Sequence, residues 1–181
     1  MRLEQRQMTN GLIQLVPMQA EHKDLFVELY SNKKIMRQIS EPLSPLLAAR
    51  TFAKALNSED DTRRHYYWVI RNADGADSGI AALIMQQDNA AEIGVMLLPK
   101  FSKQRLPLQV GVCLFGYAFE FTSVDQIVVL HKAGNLPLPV VLRELSMQCN
   151  VQDGDLCSWS LPRDKWYEAK THAPYSEIKL I

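Results

Sequence analysis

The sequence predicts a mixed α/β domain in which helices flank one central sheet. Three observations carry that. Apolar residues recur every three to four positions over 19–56 and again after 106, and between them the composition turns to that of strands. Three strand-like segments follow one another with short turns, as in an antiparallel meander. No repeat or low-complexity linker divides the 181 residues, so one domain over 1–181 is expected.

Each element has its own reason. Residues 12–16, LIQLV, form a short strand closed by Pro17. Over 19–30, Leu25, Phe26, Leu29 and Tyr30 fall on one helical face. Ser44 before Pro45 is a cap and a first helical residue, opening a helix through Leu47, Phe52 and Leu56. NSEDDTRR at 57–64 reads as a solvated connection. HYYWVIR at 65–71, GIAALIMQ at 79–86 and AEIGVMLL at 91–98 are the three strands, with NADGADSG and QDNA as their turns. A helix follows with Pro107 in its first turn and Val110, Leu114, Tyr117 and Phe121 along it. IVVLHK at 127–132 is a β-branched strand, Val140–Leu145 a short helix after two prolines, and the tail alternates around DLCSWSL at 155–161, giving one or two last strands.

Composition narrows the function. With 20 Lys+Arg against 20 Asp+Glu, the net charge is zero, which gives no bulk attraction for nucleic acid. No apolar run reaches the roughly 20 residues of a membrane span. The three cysteines, Cys113, Cys149 and Cys157, lack metal-ligand spacing and suit a reducing compartment, so the expected location is the cytoplasm and no metal is expected.

The most informative stretch is LLPKFSKQRLPLQVG at 97–111: a strand end, a basic turn and a helix start. That order suits an anion, because the first N–H groups of a helix are unpaired and its dipole favours negative charge. Yet the turn contains no glycine. Lys100, Lys103 and Arg105 supply charge where glycine would supply room. The alternative is a solvated basic turn with no ligand.

The chain resembles the GCN5-related N-acetyltransferase (GNAT) superfamily, in particular the branch that modifies ribosomal-protein N-termini, from about residue 11 to about 161. The resemblance rests on AEIGVMLLPKFSKQRLPLQVGVCLFGYAFEFTSVDQIVVL, with Ile93–Gly94, Pro99 and Tyr117–Ala118–Phe119 in register with family landmarks. Asn135 falls at the family's post-strand asparagine, and Leu142, Leu145, Ser146 and Met147 match its closing segment. The departures are specific. The two glycines of the family's phosphate turn fall on Lys103 and Arg105, the small residue before the helix on Pro107, the glycine of the second motif on Ser146, and a common serine on Leu138.

The resemblance implies the acyl-CoA N-acyltransferase fold, with a mixed, mostly antiparallel sheet flanked by helices. It implies acetyl-CoA or another acyl-CoA as co-substrate, and transfer to a small-molecule or peptide amine by direct attack in a ternary complex. Glu92 becomes the candidate general base, the alternative being an outward-facing strand residue. Val95, Met96 and Leu97 would meet the pantetheine arm through their backbone. Lys103, Gln104, Arg105, Leu106, Pro107 and Leu108 would form the pyrophosphate turn. Asn135 would position coenzyme A or the last helix, or is simply a turn residue. Cys113 reads as core. His65 and His131 could reach the cleft side of the sheet, and the general acid is unassigned, with Tyr167 and Tyr175 in the tail as loose candidates. Nucleic acid and membrane are not expected as partners, and a homodimer through the C-terminal strands is left open. The competing functions are a catalytically inactive ligand-binding or interaction module of the same fold, and a relative taking a longer acyl donor.

Overall fold

In the computed structural model of the chain, residues 5–37, 39–56, 65–102, 105–172 and 177–181 are described. They run β1 (Met8–Thr9), β2 (Gln14–Pro17), α1 (Lys23–Ser31), α2 (Lys33–Met36), α3 (Pro45–Leu56), β3 (His65–Arg71), β4 (Asp77–Met85), β5 (Ala90–Leu97), α4 (Leu106–Phe121), β6 (Gln126–Lys132), α5 (Leu138–Glu144), β7 (Gln148–Asp153), β8 (Leu156–Pro162), α6 (Arg163–Ala169) and β9 (Lys179–Leu180). The nine strands form one sheet in the order β7-β8-β6-β5-β4-β3-β2-β1-β9. Among the described residues the strand pairings are antiparallel except β5 with β6, where α4 provides the crossover that parallel neighbours require. This is the mixed, mostly antiparallel sheet flanked by helices that the sequence predicts.

The predicted first helix is divided. A 3₁₀ turn at Ala20–His22 precedes α1, and α1 stops at Asn32, whose side chain accepts hydrogen bonds from the N–H groups of Lys34 (2.9 Å) and Ile35 (3.4 Å) to start α2. The predicted meander is as expected. Its second turn carries positive φ at both Asp88 (58°) and Asn89 (55°), the mirror-image turn that matches strand twist. The first meander pair contains a bulge between Ile70 and Arg71, where the Ser78 hydroxyl donates to the Ile70 carbonyl at 2.8 Å.

Two aromatic contacts define the faces of the sheet. Trp68 meets Tyr117 of α4 edge-on at 5.4 Å, and its neighbour Tyr67 meets Phe26 of α1 edge-on at 6.3 Å. Alternation along β3 therefore gives one face to α4 and the other to α1, with α3 behind α1 through Phe26–Phe52. Carried through the register to β5, Ala91 and Ile93 lie on the α4 face, and Glu92 and Gly94 on the α1 face.

Helix α4 is buried almost all round because it is covered on both sides. A Cβ at Gly111 would lie 2.4 Å from Leu145 Cδ1, and one at Gly116 would lie 3.1 Å from Ile178 Cδ1, so α5 and the tail press directly on its backbone. Arg163 closes its C-terminal end. The guanidinium donates to the Phe119, Thr122 and Val124 carbonyls, the second at 2.9 Å.

Candidate active site

The parallel ladder between β5 and β6 is short. It pairs Ala90 with Gln126, Ala91 with Ile127 and Glu92 with Val128, and then ends. β5 continues to Leu97 paired only with β4, and β6 continues to Lys132 paired only with β8. The strands thus open into a wedge with Glu92 and Val128 at its apex. Along Gly94–Leu97 every second residue turns its N–H and C=O away from β4 into that wedge. An extended, amide-rich group could add there as a further strand would. Space is available at the apex, since a Cβ at Gly94 would meet only the Ala82 Cβ, at 3.9 Å.

Val95, Met96 and Leu97 lie opposite Ala81, Ile80 and Gly79 and are half-buried. Their side chains flank the sheet and their main chain lines the wedge. Gly79 matters here. A Cβ on it would come within 2.1 Å of the Met96 carbonyl oxygen, so only glycine lets β4 approach this part of β5 so closely.

Glu92 stands at the apex on the α1 face, half-buried. Its carboxylate accepts a hydrogen bond of 2.8 Å from Gln86 Nε2, at the start of the β4–β5 turn. The sequence reading missed Gln86. The signal was in the hairpin: with a two-residue turn at Asp88–Asn89, Gln86 and Glu92 fall on the same face as near neighbours. His65 shares that face, in one row with Ile84 and Glu92. Its Nδ1 lies 3.4 Å from the Tyr67 hydroxyl, and Tyr67 in turn bonds to Tyr30. Burial, then the Tyr67 neighbour, push the Tyr30 hydroxyl up from its ordinary value.

His131 is on the other face. Ile127 pairs with Ala91, so Ile127, Val129 and His131 point to the α4 side. An indole N–H can only donate, so the 3.0 Å bond from Trp159 Nε1 makes His131 Nε2 the acceptor. That leaves the proton on Nδ1, which donates to the Lys132 carbonyl at 2.8 Å. Of the two histidines weighed in the sequence, His65 thus shares the Glu92 face and His131 lies on the opposite one. Cys113 is core, as read. Burial pushes its thiol up to about 12, partly opposed by a hydrogen bond from the Asn10 backbone, which removes it as a nucleophile near neutrality.

The wedge opens toward the start of α4. Lys103 and Gln104 lie outside the described residues. Arg105 is the N-cap position, with no side-chain cap, followed by Leu106 and Pro107. The N–H groups of Leu106 and Leu108 are therefore left without helical partners, while Pro107 has no N–H to offer. The side chains of Leu106 and Leu108 are buried in the core, so only their main chain could face a ligand. The exposed Arg105 guanidinium lies 2.5 Å from the Glu144 carboxylate of α5. Lys100 stacks on Phe101, 4.8 Å from the ring centre.

Asn135 sits half-buried in the loop before α5, its N–H on the Lys132 carbonyl (2.9 Å) and its carbonyl receiving the Leu138 N–H (3.3 Å). Those are turn contacts. Ser146 explains the glycine of the second motif. It has φ +60°, its N–H bonds to the Arg143 carbonyl, and that of Met147 to the Leu142 carbonyl, both 2.9 Å. That is a Schellman ending, which favours glycine at this residue.

Coenzyme A fits this arrangement at the amide-lined wedge, the open space over Gly94 and the uncapped start of α4. The Arg105–Glu144 pair opposes it by placing a carboxylate beside the turn. Among the described residues no cluster of His, Cys, Asp or Glu could hold a metal ion, and no helix is long and apolar enough to cross a membrane.

Comparison with known proteins agrees with the fold. A spermidine N-acetyltransferase from Vibrio cholerae, solved with CoA and spermine, is 15% identical, with a TM-score of 0.76 over 87% of this chain and 99% of that one. A GCN5-related N-acetyltransferase from Brucella melitensis is 16% identical, with a TM-score of 0.74 over 94% and 85%. A ribosomal L7/L12 alpha-N-protein acetyltransferase, solved with coenzyme A, is 15% identical, with a TM-score of 0.70 over 85% and 96%. No curated protein matches the chain closely enough to count as a relative by sequence. The family model described as an acetyltransferase (GNAT) domain matches residues 13–148, most of the chain and all of the wedge, and the protein therefore belongs to the GNAT acetyltransferase family.

Proposed function

We propose that the protein transfers an acetyl or other acyl group from an acyl-CoA to an amine by direct attack in a ternary complex, 1–181 acting as one domain in the cytoplasm. The observation that carries this reading is the wedge: the β5–β6 ladder ends at Glu92–Val128 just where a half-buried carboxylate stands on the open face. Residues Gly94–Leu97 would hold the pantetheine through their main chain. The N–H groups of Leu106 and Leu108, with Lys103 and Arg105, would receive the pyrophosphate. The bound thioester supplies the activated acyl group. Glu92 would take the proton from the attacking amine directly or through a water, held meanwhile by Gln86. Direct attack needs no protein nucleophile, which agrees with the inert Cys113. Three unpaired cysteines support a reducing compartment. Ile93–Gly94, Pro99, Tyr117–Ala118–Phe119 and Asn135 support kinship with the branch acting on ribosomal-protein N-termini.

A second reading has its own observation. Arg105 is occupied by Glu144 in a turn without glycine, which suits a GNAT-fold module that no longer turns over acyl-CoA. Calorimetric titration with acetyl-CoA, with desulfo-CoA and ATP alongside, separates the two. Micromolar binding, about −8 kcal/mol, supports the acyltransferase. No binding at millimolar ligand overturns it in favour of the module.

A further inference from the structure

The open arm of the wedge provides a ruler for the acceptor. Val128 pairs with Glu92, so Val128, Leu130 and Lys132 share its face of the sheet. Along β6 this face is the less buried one, whereas Ile127, Val129 and His131 are buried. Leu130 is 40% exposed despite its apolar side chain. Lys132 ends the row and its Nζ donates to the Arg37 carbonyl at 3.3 Å, spanning from β6 to the loop after α2. The row therefore ends on an ammonium group set against the main chain of Arg37. Among the described residues Lys132 pairs with no carboxylate. Four residues of strand separate Val128 from Lys132, about 13 Å at the usual rise.

From this order we infer that the acceptor is an amine with an apolar body and an anionic group roughly 10–13 Å from its nitrogen. The inference rests on the acyltransferase reading, with Glu92 at the amine end. Leu130 would lie under the body, and Lys132 would receive the anion. The same ammonium group would repel an acceptor that ends in a second ammonium group. An amino acid with a long apolar chain and a peptide whose third or fourth residue is acidic present the same chemistry.

The test uses three amines of equal body and different ends: 8-aminooctanoate, octylamine and 1,8-diaminooctane. CoA release from acetyl-CoA is followed, and each amine is also titrated calorimetrically into the protein. A second set, the C-terminally amidated tetrapeptides Ala-Leu-Ala-Glu-NH2, Ala-Leu-Ala-Gln-NH2 and Ala-Leu-Ala-Lys-NH2, distinguishes a peptide source from a small molecule. The anionic member of at least one set is expected to have the lowest KM and the tightest binding, tenfold or more below its cationic partner. Lys132→Glu should reverse that order and leave the neutral member within twofold. A wild-type preference for the diamine and the lysine peptide overturns the inference, and so does an order that Lys132→Glu leaves intact. Turnover with no preference for charge overturns this inference alone. Charge-dependent binding with no turnover of any amine contradicts the acyltransferase reading and leaves the anion site standing.

Discussion

Arg105 and Glu144 form an ion pair of 2.5 Å that ties the start of α4 to the last turn of α5. Both side chains are well exposed, so the pair contributes little to stability, on the order of 1 kcal/mol or less. Its larger consequence is for binding, because a phosphate at this turn must compete with Glu144 for the guanidinium. Glu144→Gln should tighten acetyl-CoA by up to about fivefold. Arg105→Gln should weaken it, and Lys103→Gln with Arg105→Gln should abolish it while the fold remains intact by circular dichroism. Calorimetry on this set checks the account; unchanged affinity in the double variant means that these side chains do not hold phosphate.

The bond from Gln86 to Glu92 makes a graded prediction. Glu92→Gln should lower kcat by about 10²–10⁴, the usual contribution of a general base, with KM for acetyl-CoA little changed. Gln86→Leu should lower kcat about three- to tenfold, since it removes one hydrogen bond to a charged group at an exposed site. Steady-state kinetics of both variants provide the comparison. Equal activity of Glu92→Gln and wild type rules Glu92 out as the base.

Ser146 holds a left-handed conformation that costs an L-residue about 1–2 kcal/mol, part of which glycine loses again in chain entropy. Ser146→Gly should therefore stabilise the protein by about 1 kcal/mol, raising Tm by about 2–4 °C. The opposite substitution in the same region, Gly111→Ala, places a methyl group 2.4 Å from Leu145 Cδ1 and should lower Tm. Differential scanning calorimetry on the two variants reads both signs.

Cys113 makes stability depend on pH at the alkaline end. Its thiol titrates near 9 when unfolded and is pushed up to about 12 when folded. The folded state holds this proton more tightly, so its contribution is complete below pH 9 and is lost as pH rises from 9 toward 12. The loss proceeds at about 1.4 kcal/mol per pH unit. Tyr30, shifted in the same direction by burial, adds to the loss above its own ordinary value. Urea unfolding from pH 8 to 10.5 should show Cys113→Ala falling less steeply than wild type. Parallel slopes would contradict the assignment.

Much of this was legible from residue order. The β3–β4–β5 meander was visible because HYYWVIR, GIAALIMQ and AEIGVMLL are separated by turn residues, and QDNA became a turn with positive φ at Asp88 and Asn89. Helix α4 was visible from Pro107 and its apolar residues. Other parts depend on contacts made far along the chain. β1 and β9 are two-residue strands that pair with each other, Met8 opposite Leu180, and no local pattern announces either. The face of His131 follows from its register with Ala91 through a parallel ladder, which sequence alone does not count. Glu144 answers Arg105 across 39 residues, so the basic turn looked more available in the sequence than it is in the fold.

The central claim is that the wedge between β5 and β6 receives the donor. Amide hydrogen exchange with and without coenzyme A tests it most directly. The account predicts added protection in peptides covering 93–98 and 105–109, with β1, β2 and β3 unchanged. Protection that is absent from 93–98 while coenzyme A is bound would contradict it, because the donor would then lie somewhere other than along β5.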